Sequence, residues 1–195
     1  MKIDIILAGV GGQGILSIAT VLGAAVLREN LNLKQAETHG MSQRGGAVVS
    51  HLRISSDTVA SDLIPEGAAD LILSVEPMEA LRYLPYLSDN GYVVTNTTPF
   101  VNIPDYPAPE QVLAAVNALP RVVALNADEI AKAAGNSRTS NIVMLGAAAP
   151  FLQLDFTTLE EGVRSIFARK GDAIVDLNLR ALHAGHEFAK NSIRL

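Results

Sequence analysis

The sequence contains no cysteine and no tryptophan, and charged residues make up only 18% of its 195 residues. The missing thiols exclude disulfides, a thiol nucleophile and a thiolate-ligated iron–sulfur cluster or zinc site. The reduced cytoplasm is therefore the expected compartment. Aromatic residues are also scarce, at 5%, whereas hydrophobic residues reach 49%. This excess of apolar side chains predicts that a partner subunit covers part of the surface.

The sequence also lacks an excess of positive charge and a long hydrophobic run. Its formal net charge of −5 argues against a nucleic-acid surface and against an anionic-membrane surface. The longest apolar stretches, residues 15–27 and 142–152, are shorter than the roughly 20 residues that span a bilayer. The N-terminal residues show no basic segment followed by a cleavable apolar stretch, so no signal peptide is expected. The expected organisation is a single domain over residues 1–195.

The N-terminal residues predict a strand, a glycine-rich turn and a helix. Ile3, Ile5, Ile6 and Leu7 form a short apolar, largely β-branched run that is typical of a buried strand. Gly9, Gly11 and Gly14 follow with the G-x-G-x-x-G spacing, and residues 15–27 are apolar nearly all round, like a helix buried against a sheet. Free N–H groups at the start of that helix favour an anion. The motif alone leaves open whether it binds a ligand or only fits the helix onto the strand.

The rest of the chain predicts a mixed, mostly parallel sheet with a helical C-terminal third. Further strands are expected at residues 33–38, 47–54, 70–75, 91–96 and 121–126. Helices are expected at residues 76–87, 128–134, 139–151, 157–170 and 173–190, the fourth of them opened by a capping box at residues 157–161. The loop between the second and third strands is too short for a crossover helix, so these strands are not expected to be parallel neighbours. The pattern indicates an α/β, Rossmann-like, three-layer domain.

Residues 39–46, between the second and third strands, form the most informative polar segment. Arg44 is followed by Gly45 and Gly46, so a fixed cation adjoins backbone N–H groups, which suits a phosphate or a carboxylate. The other polar side chains of the loop are those of His39, Ser42 and Gln43. If the second strand lies beside the first, this loop and the glycine turn share the carboxyl edge of the sheet, where open α/β folds bind ligands. A solvated turn is the simpler alternative.

Other kinds of ligand-binding or catalytic site have less support in the sequence. Glu37 stands about 20 residues after the glycine motif, where an NAD site has its ribose-binding acid, so a free-standing NAD(P)-binding protein is an alternative. The turn has no P-loop lysine. A Ser–His–Asp hydrolase is discounted, because His39 and Ser42 lack a G-x-S-x-G elbow. His183 and His186 lie on the last helix without an evident third ligand, so a surface pair is favoured over a metal site.

Two further polar residues stand at the ends of predicted strands. Glu76 and Asn96 both come at a carboxyl end, so both could face one ligand cleft. Each could instead cap a helix or a turn. For Glu76, which directly precedes Pro77, the capping role is favoured.

Several segments together resemble the gamma-type domain of the 2-oxoacid:ferredoxin oxidoreductases, nearest to the indolepyruvate branch of that family. The main segments are Gly9-Val10-Gly11-Gly12-Gln13-Gly14-Ile15, Glu37-Thr38-His39-Gly40-Met41-Ser42-Gln43-Arg44-Gly45-Gly46 and Val49-Ser50-His51-Leu52-Arg53. Further matches are Ile64-Pro65-Glu66-Gly67, Glu76-Pro77-Met78-Glu79-Ala80-Leu81-Arg82, Asn141 with Leu145-Gly146, and Asn178-Leu179-Arg180-Ala181. The pyruvate and 2-oxoglutarate relatives tend to carry a Tyr-Gly-x-Glu-x-Arg-Gly-Gly version of the second segment.

The resemblance implies a subunit of an oxidoreductase and not a complete enzyme. In the family a larger alpha subunit holds thiamine diphosphate and [4Fe-4S] clusters. The whole enzyme oxidatively decarboxylates an aryl pyruvate with coenzyme A, giving an aryl-acetyl-CoA, carbon dioxide and reduced ferredoxin. This chain is expected to bind no metal or cofactor alone, to be inactive alone and to reach ferredoxin through the alpha subunit; a homodimer of the isolated chain is left open. The alternative within the family is the gamma subunit of a pyruvate or 2-oxoglutarate enzyme.

The resemblance also implies a binding site. The expected cofactor-binding residues are Gly9, Gly11, Gly12, Gln13, Gly14, Ser42, Gln43, Arg44, Gly45 and Gly46. His39 and Arg44 are the catalytic candidates, at the subunit interface. Coenzyme A phosphates are the expected anion. The alternative is that the loop packs on the alpha subunit and orders its thiamine site.

Overall fold

The secondary structure comes from a computed structural model, which describes residues 1–38, 45–101 and 103–193. The strands are β1 (Lys2–Val10), β2 (Asn32–Glu37), β3 (Ala47–Ser55), β4 (Ala69–Ser74), β5 (Leu87–Asn96) and β6 (Val122–Leu125). The α-helices are α1 (Ile15–Arg28), α2 (Pro77–Arg82), α3 (Pro109–Asn117), α4 (Ala127–Ala134), α5 (Ser140–Ala148), α6 (Phe156–Phe167) and α7 (Asp172–Ser192). In the described part of the chain, no helix combines the length and the apolarity needed to cross a membrane.

The strands form one mixed sheet in the order β2-β3-β1-β4-β5-β6. Strands β1, β4, β5 and β6 run parallel, and β3 is antiparallel to both β1 and β2. The predicted mixed sheet is therefore confirmed, and so is the expectation that strands two and three are not parallel neighbours. The supposition that the second strand lies beside the first is wrong, because β3 lies between them. The loop still returns to the end of β1, since Ala47 at the start of β3 pairs with Val10.

Helices cover both faces of the sheet, which confirms the three-layer α/β fold. On one face, side chains of α1, α5, α6 and α7 form a large core with Ile3, Ile5 and Leu7 of β1. On the other face, Ile6 and Ala8 pack in a smaller core that includes residues of α2. The alternation along β1 follows from the two-residue period of a strand. Because α1 and α2 pack on opposite faces, the chain changes sides between the neighbouring strands β1 and β4.

Two glycines allow α5 and α7 to cross in backbone contact. A Cβ atom on Gly146 would lie 2.0 Å from the Leu182 carbonyl oxygen, and one on Gly185 would lie 1.9 Å from the Val143 carbonyl oxygen. Larger residues would force the helices apart, because these neighbours are backbone atoms that cannot rotate away. This crossing holds α5, whose first residues form one wall of the candidate site.

Local differences from the sequence predictions have identifiable causes. The helix expected over residues 76–87 ends at Arg82, because Pro85 cannot continue it, and a 3₁₀ turn at Leu84–Tyr86 leads into β5. The unpredicted α3 buries only Val112 and Val116, which leaves a weak periodic signal.

The predicted capping box at residues 157–161 is wrong. Helix α6 begins at Phe156, and its N-cap residue Asp155 makes no side-chain capping hydrogen bond. A tertiary contact joins the start of α6 to the end of α1 instead, since the Asp155 N–H donates to the Glu29 carboxylate at 2.9 Å.

Candidate functional site

The glycine turn connects the carboxyl end of β1 to the start of α1. Gly12 and Gly14 have φ values of 99° and 86°, a conformation that other residues adopt only with strain. The Gln13 side-chain oxygen accepts a hydrogen bond of 2.8 Å from the Val10 N–H and so fixes the turn. Gly14, the N-cap of α1, offers no side chain to the first N–H groups of the helix. A ligand at the turn could therefore use these donors.

The motif glycines differ in what they face. A Cβ on Gly9 would lie 2.3 Å from Val75 Cγ2, so Gly9 is required by packing. A Cβ on Gly14 would lie 2.6 Å from Asn141 Nδ2, and that amide donates to the Gly14 carbonyl oxygen at 3.2 Å. A Cβ on Gly12 would have no described heavy atom within 4 Å. The backbone of Gly12 thus lies next to open space.

Both ends of the loop at residues 39–46 are held at the same edge of the sheet. The Gly11 N–H donates to the Gly46 carbonyl oxygen at 2.9 Å, and the Thr38 N–H donates to the Val49 carbonyl oxygen at 3.1 Å. Gly45 has a φ of 83°, which a non-glycine residue would adopt only with strain. The remaining predicted site residues of the loop, namely His39, Ser42, Gln43 and Arg44, lie outside the described residues.

Two hollows flank the glycine turn. The loop-side hollow, of about 410 Å³, lies between the turn, Leu16 and Glu37. The helix-side hollow, of about 560 Å³, lies between the turn, residues 136–141 and Lys170. Both volumes fall within the range of roughly 300–1,000 Å³ that is usual for small-molecule sites.

The helix-side hollow has a lining whose chemistry suits an anion. Its cationic side chains are those of Arg138 and Lys170, and no carboxylate occurs among the described residues that line it. The N-termini of α1 and α5 meet there, and helix N-termini favour negative charge. Its polar lining residues include Ser17, Asn136, Thr139, Ser140, Asn141 and Asn178. Sequence reasoning missed Arg138 and Lys170, because a basic residue just before or just after a helix is common and carries no signal alone.

Glu37, the candidate ribose-binding acid, lies at the end of β2. Its Oε2 accepts a hydrogen bond of 3.1 Å from Gln35 Nε2. In a dinucleotide-binding sheet this acid stands on a parallel strand next to the first strand. Here the antiparallel strand β3 occupies that place. The arrangement therefore weighs against the NAD alternative.

Glu76 and Asn96 both act as caps. The buried Glu76 carboxylate accepts hydrogen bonds from the Glu79 N–H at 2.8 Å, the Phe100 N–H at 3.2 Å and the Tyr106 hydroxyl. Burial and this carboxylate raise the pKa of the Tyr106 hydroxyl above its usual value. The Asn96 side-chain oxygen accepts from the first N–H of α4 at 3.0 Å. The capping role that the sequence favoured for Glu76 is present, and its carboxylate also holds the segment after β5.

The two histidines of α7 pack against α6. His183 Nε2 lies 2.7 Å from Glu160 Oε1, and the His186 ring stacks on Phe156 with centroids 4.1 Å apart. Burial lowers the pKa of His186. Within the described ranges, no group of three or more His, Cys, Asp or Glu side chains could hold a metal ion. The pair therefore joins two helices away from the glycine turn.

The sequence matches the family described as pyruvate ferredoxin/flavodoxin oxidoreductase over residues 4–188. It is 39% identical to the indolepyruvate oxidoreductase subunit IorB of Archaeoglobus fulgidus, over 97% of this chain and 96% of the relative. It is 37% identical to the IorB subunit of Thermococcus kodakarensis, over 98% of each chain.

Solved structures share the fold. The 2-oxoglutarate:ferredoxin oxidoreductase of Magnetococcus marinus, with 2-oxoglutarate, coenzyme A and succinyl-CoA bound, superposes with a TM-score of 0.79 at 22% identity. That match covers 100% of this chain but only 32% of the longer Magnetococcus chain. The gamma subunit of a keto/oxoacid ferredoxin oxidoreductase from Geobacter sulfurreducens gives a TM-score of 0.77 at 23% identity, over 100% of this chain and 99% of the relative.

Proposed function

Because this chain belongs to the pyruvate ferredoxin/flavodoxin oxidoreductase family, we propose that it serves an enzyme that oxidatively decarboxylates indolepyruvate and other aryl pyruvates. The full-length match to IorB subunits supports this branch over the pyruvate and 2-oxoglutarate branches. A larger partner subunit carries thiamine diphosphate and [4Fe-4S] clusters and reduces ferredoxin. This chain has no cysteine and so offers no thiolate to a cluster.

The role of this chain is to hold an anionic group of coenzyme A beside the partner's active site. The observation that carries this role is the hydrogen bond of 2.9 Å from the Gly11 N–H to the Gly46 carbonyl oxygen. It brings the end of the Arg44 loop to the glycine turn at the carboxyl end of β1, and the chain changes sides of the sheet between β1 and its other neighbour, β4. Open α/β sheets bind ligands at such a point. Backbone N–H groups and a guanidinium suit phosphates, and the Magnetococcus relative has coenzyme A bound.

A second function for the same loop is to pack on the partner and order its thiamine site. Exposed apolar side chains beside the glycine turn favour it. Leu16, which borders the loop-side hollow, is 52% exposed, and Phe100, which shares a smaller hollow with Gln13, is 44% exposed. A partner subunit would cover such side chains.

Steady-state kinetics of the complex with Arg44→Ala separates these two functions. If Arg44 binds a phosphate, the apparent KM for coenzyme A rises by about tenfold, the usual effect of one charge-assisted hydrogen bond, and the KM for the oxoacid changes less. If the loop only assembles the complex, turnover of the formed complex is unchanged and association weakens. Equal effects on both KM values, or no effect, contradict the phosphate role.

The subunit assignment has its own test. We expect the isolated chain to be inactive and activity to appear when a cysteine-rich partner subunit is added. Titration of the isolated chain with NAD and NADP tests the alternative of a free-standing NAD(P)-binding protein. Saturable binding that is lost in Glu37→Ala would instead support a free-standing NAD(P)-binding protein.

A further inference from the structure

We propose that the helix-side hollow is a phosphate-ester site in which Arg138 and Lys170 are the cationic contacts. The inference rests on the proposed function, because it states where the phosphorylated part of the ligand lies. It adds a binding site on the opposite side of the glycine turn from the Arg44 loop. The Gly12 backbone borders both hollows, so one ligand can reach from one side to the other.

Arg138 is positioned by the turn that precedes α5. The Asn136 side-chain oxygen accepts a hydrogen bond of 2.9 Å from the Arg138 N–H and caps the 3₁₀ turn Ser137–Thr139. Within the described residues, the Arg138 guanidinium makes no hydrogen bond and no ion pair. Its five N–H donors are therefore available to a ligand in the hollow. A guanidinium matches the geometry of phosphate oxygens better than an ammonium does.

Lys170 supplies the second cation from the opposite wall. Its ammonium lies 5.4 Å from the centroid of the Phe167 ring, and both residues line the hollow. The attraction between ammonium and ring keeps the charge at this wall without a carboxylate partner. Two cations and no described carboxylate make the electrostatic potential in the hollow positive.

A buried amide in the hollow needs a hydrogen-bond donor. Asn178 is only 4% exposed, and its Nδ2 donates to the Ile174 carbonyl oxygen at 2.8 Å. Its Oδ1 accepts no hydrogen bond from the described part of the protein. Buried polar atoms are rarely left without a partner. A sugar hydroxyl beside a phosphate would supply this donor, which suits the phosphorylated sugar part of coenzyme A or of another nucleotide.

The loop-side hollow has a different character. Its side chains are mostly apolar, among them Ile15, Leu16 and Val48, and it includes the carboxylate residue Glu37. Among the described lining residues, only the helix-side hollow has cationic side chains. Two anionic groups of one ligand can therefore use the two sides of the turn, one at the Arg44 loop and one beside Arg138 and Lys170.

Calorimetric titration of the full chain tests the site, with coenzyme A and inorganic pyrophosphate as probes. We expect Arg138→Gln and Lys170→Gln each to weaken both probes by about tenfold, as loss of a charge-assisted contact does. The matched control is Arg169→Gln, which makes the same charge change beside Lys170 but outside the lining residues. It should change affinity by less than about twofold, because an exposed charge outside the hollow is screened by solvent and makes no direct contact with the ligand. Circular dichroism confirms that each variant is folded.

The outcomes separate this inference from the proposed function. Pyrophosphate binding that depends on Arg138, without any binding of coenzyme A, supports the hollow and contradicts coenzyme A as the ligand. Coenzyme A binding that is lost in Arg44→Ala and unchanged in Arg138→Gln and Lys170→Gln overturns the hollow and leaves the proposed function standing. Absence of binding for both probes also overturns it. If Arg138→Gln does not fold, Lys170→Gln decides.

Discussion

At the scale of single residues, the buried ion pair between Asp4 and Arg53 gives a structural role to one residue of the family-like segment 49–53. The Asp4 carboxylate is fully buried and is held by Arg53 through contacts of 2.8 and 3.1 Å. The same guanidinium donates to the carbonyl oxygens of Ser61 and Leu63. Arg53 therefore ties β1, β3 and the following loop together. Its role is structural, because the pair lies at the edge of the sheet opposite the glycine turn.

His51, in the same segment, makes stability depend on pH. Its Nδ1 accepts a hydrogen bond of 3.1 Å from the Ile64 N–H, and burial lowers its pKa below 6.5. The folded state thus binds a proton less readily than the unfolded state. The free energy of unfolding should therefore be fully maintained above pH 6.5 and should fall as the pH drops from there towards the folded-state pKa.

Urea unfolding of the wild type and of His51→Asn, at about pH 7.5 and about pH 5.5, measures this contribution. Asparagine keeps an acceptor for Ile64 but does not titrate, so we expect a smaller loss of stability at low pH. Some loss should remain, because the pKa of His186 is also lowered by burial. Equal losses in the two proteins would show that His51 is not responsible.

The backbone conformation of Gly12 predicts a functional difference between two glycines. Gly12→Val forces a β-branched residue into a φ of 99°, at a cost of about 1–2 kcal/mol or more. Gly23 lies within α1, where a Cβ would be 3.4 Å from Leu33 Cδ2 and no positive φ is needed. In the assembled enzyme we expect Gly12→Val to lower coenzyme A-dependent turnover more than Gly23→Val. Equal losses in variants of equal stability would contradict a role for the turn.

At the scale of elements, the crossing of α5 and α7 is the contact on which the helix-side hollow depends. Helix α5 brings Ser140 and Asn141 to the glycine turn, and α7 contributes Asn178 to the same hollow. Both helices belong to the larger core. Separation of the two helices would therefore deform the candidate site as well as the core.

Gly146→Ala tests this crossing. Because its Cβ would lie 2.0 Å from the Leu182 carbonyl oxygen, we expect the free energy of unfolding to fall by about 1–3 kcal/mol or more. Gly23→Ala is the matched control, since it places the same methyl group in a helix at 3.4 Å from a flexible side chain. The control should be neutral or stabilising by up to about 1 kcal/mol. Urea unfolding measures both, and wild-type stability of Gly146→Ala would exclude the close crossing.

At the scale of the whole molecule, the uneven exposure of apolar side chains predicts where the partner binds. Although α1 is apolar nearly all round, Leu16 near its N-terminus and Leu27 near its C-terminus are exposed. They lie about 16 Å apart along the helix axis. Only Leu16 is beside the glycine turn.

The two leucines give a matched pair of variants. Under the proposed function, Leu16→Gln should weaken association with the partner subunit by about tenfold, because it removes apolar area from the interface. Leu27→Gln makes the same chemical change at the far end of α1 and should leave association unchanged. Surface plasmon resonance with the purified partner measures both affinities. Equal weakening by the two variants would place the partner elsewhere.

The sequence by itself determined the elements whose signals are local. Helix α1 is predicted at residues 15–27 and spans Ile15–Arg28, because an apolar run that follows a glycine turn is a signal carried by neighbouring residues. The short loop after β2 likewise excluded a parallel pairing with β3. The family followed from segments of fixed spacing, which need no knowledge of their arrangement. Helix α3 is not predicted by the sequence, because it buries only two side chains and so has a weak apolar pattern.

Only the tertiary structure decided which side chains meet at the glycine turn. Insertion of β3 between β1 and β2 depends on pairing between distant strands, which no local pattern encodes. Asn141 reaches Gly14 across 127 residues of sequence, and the same packing brings Arg138 to the turn. Such contacts arise from the packing of whole helices on the sheet. That is why the glycine motif could be read from the sequence, whereas the cations beside it could not.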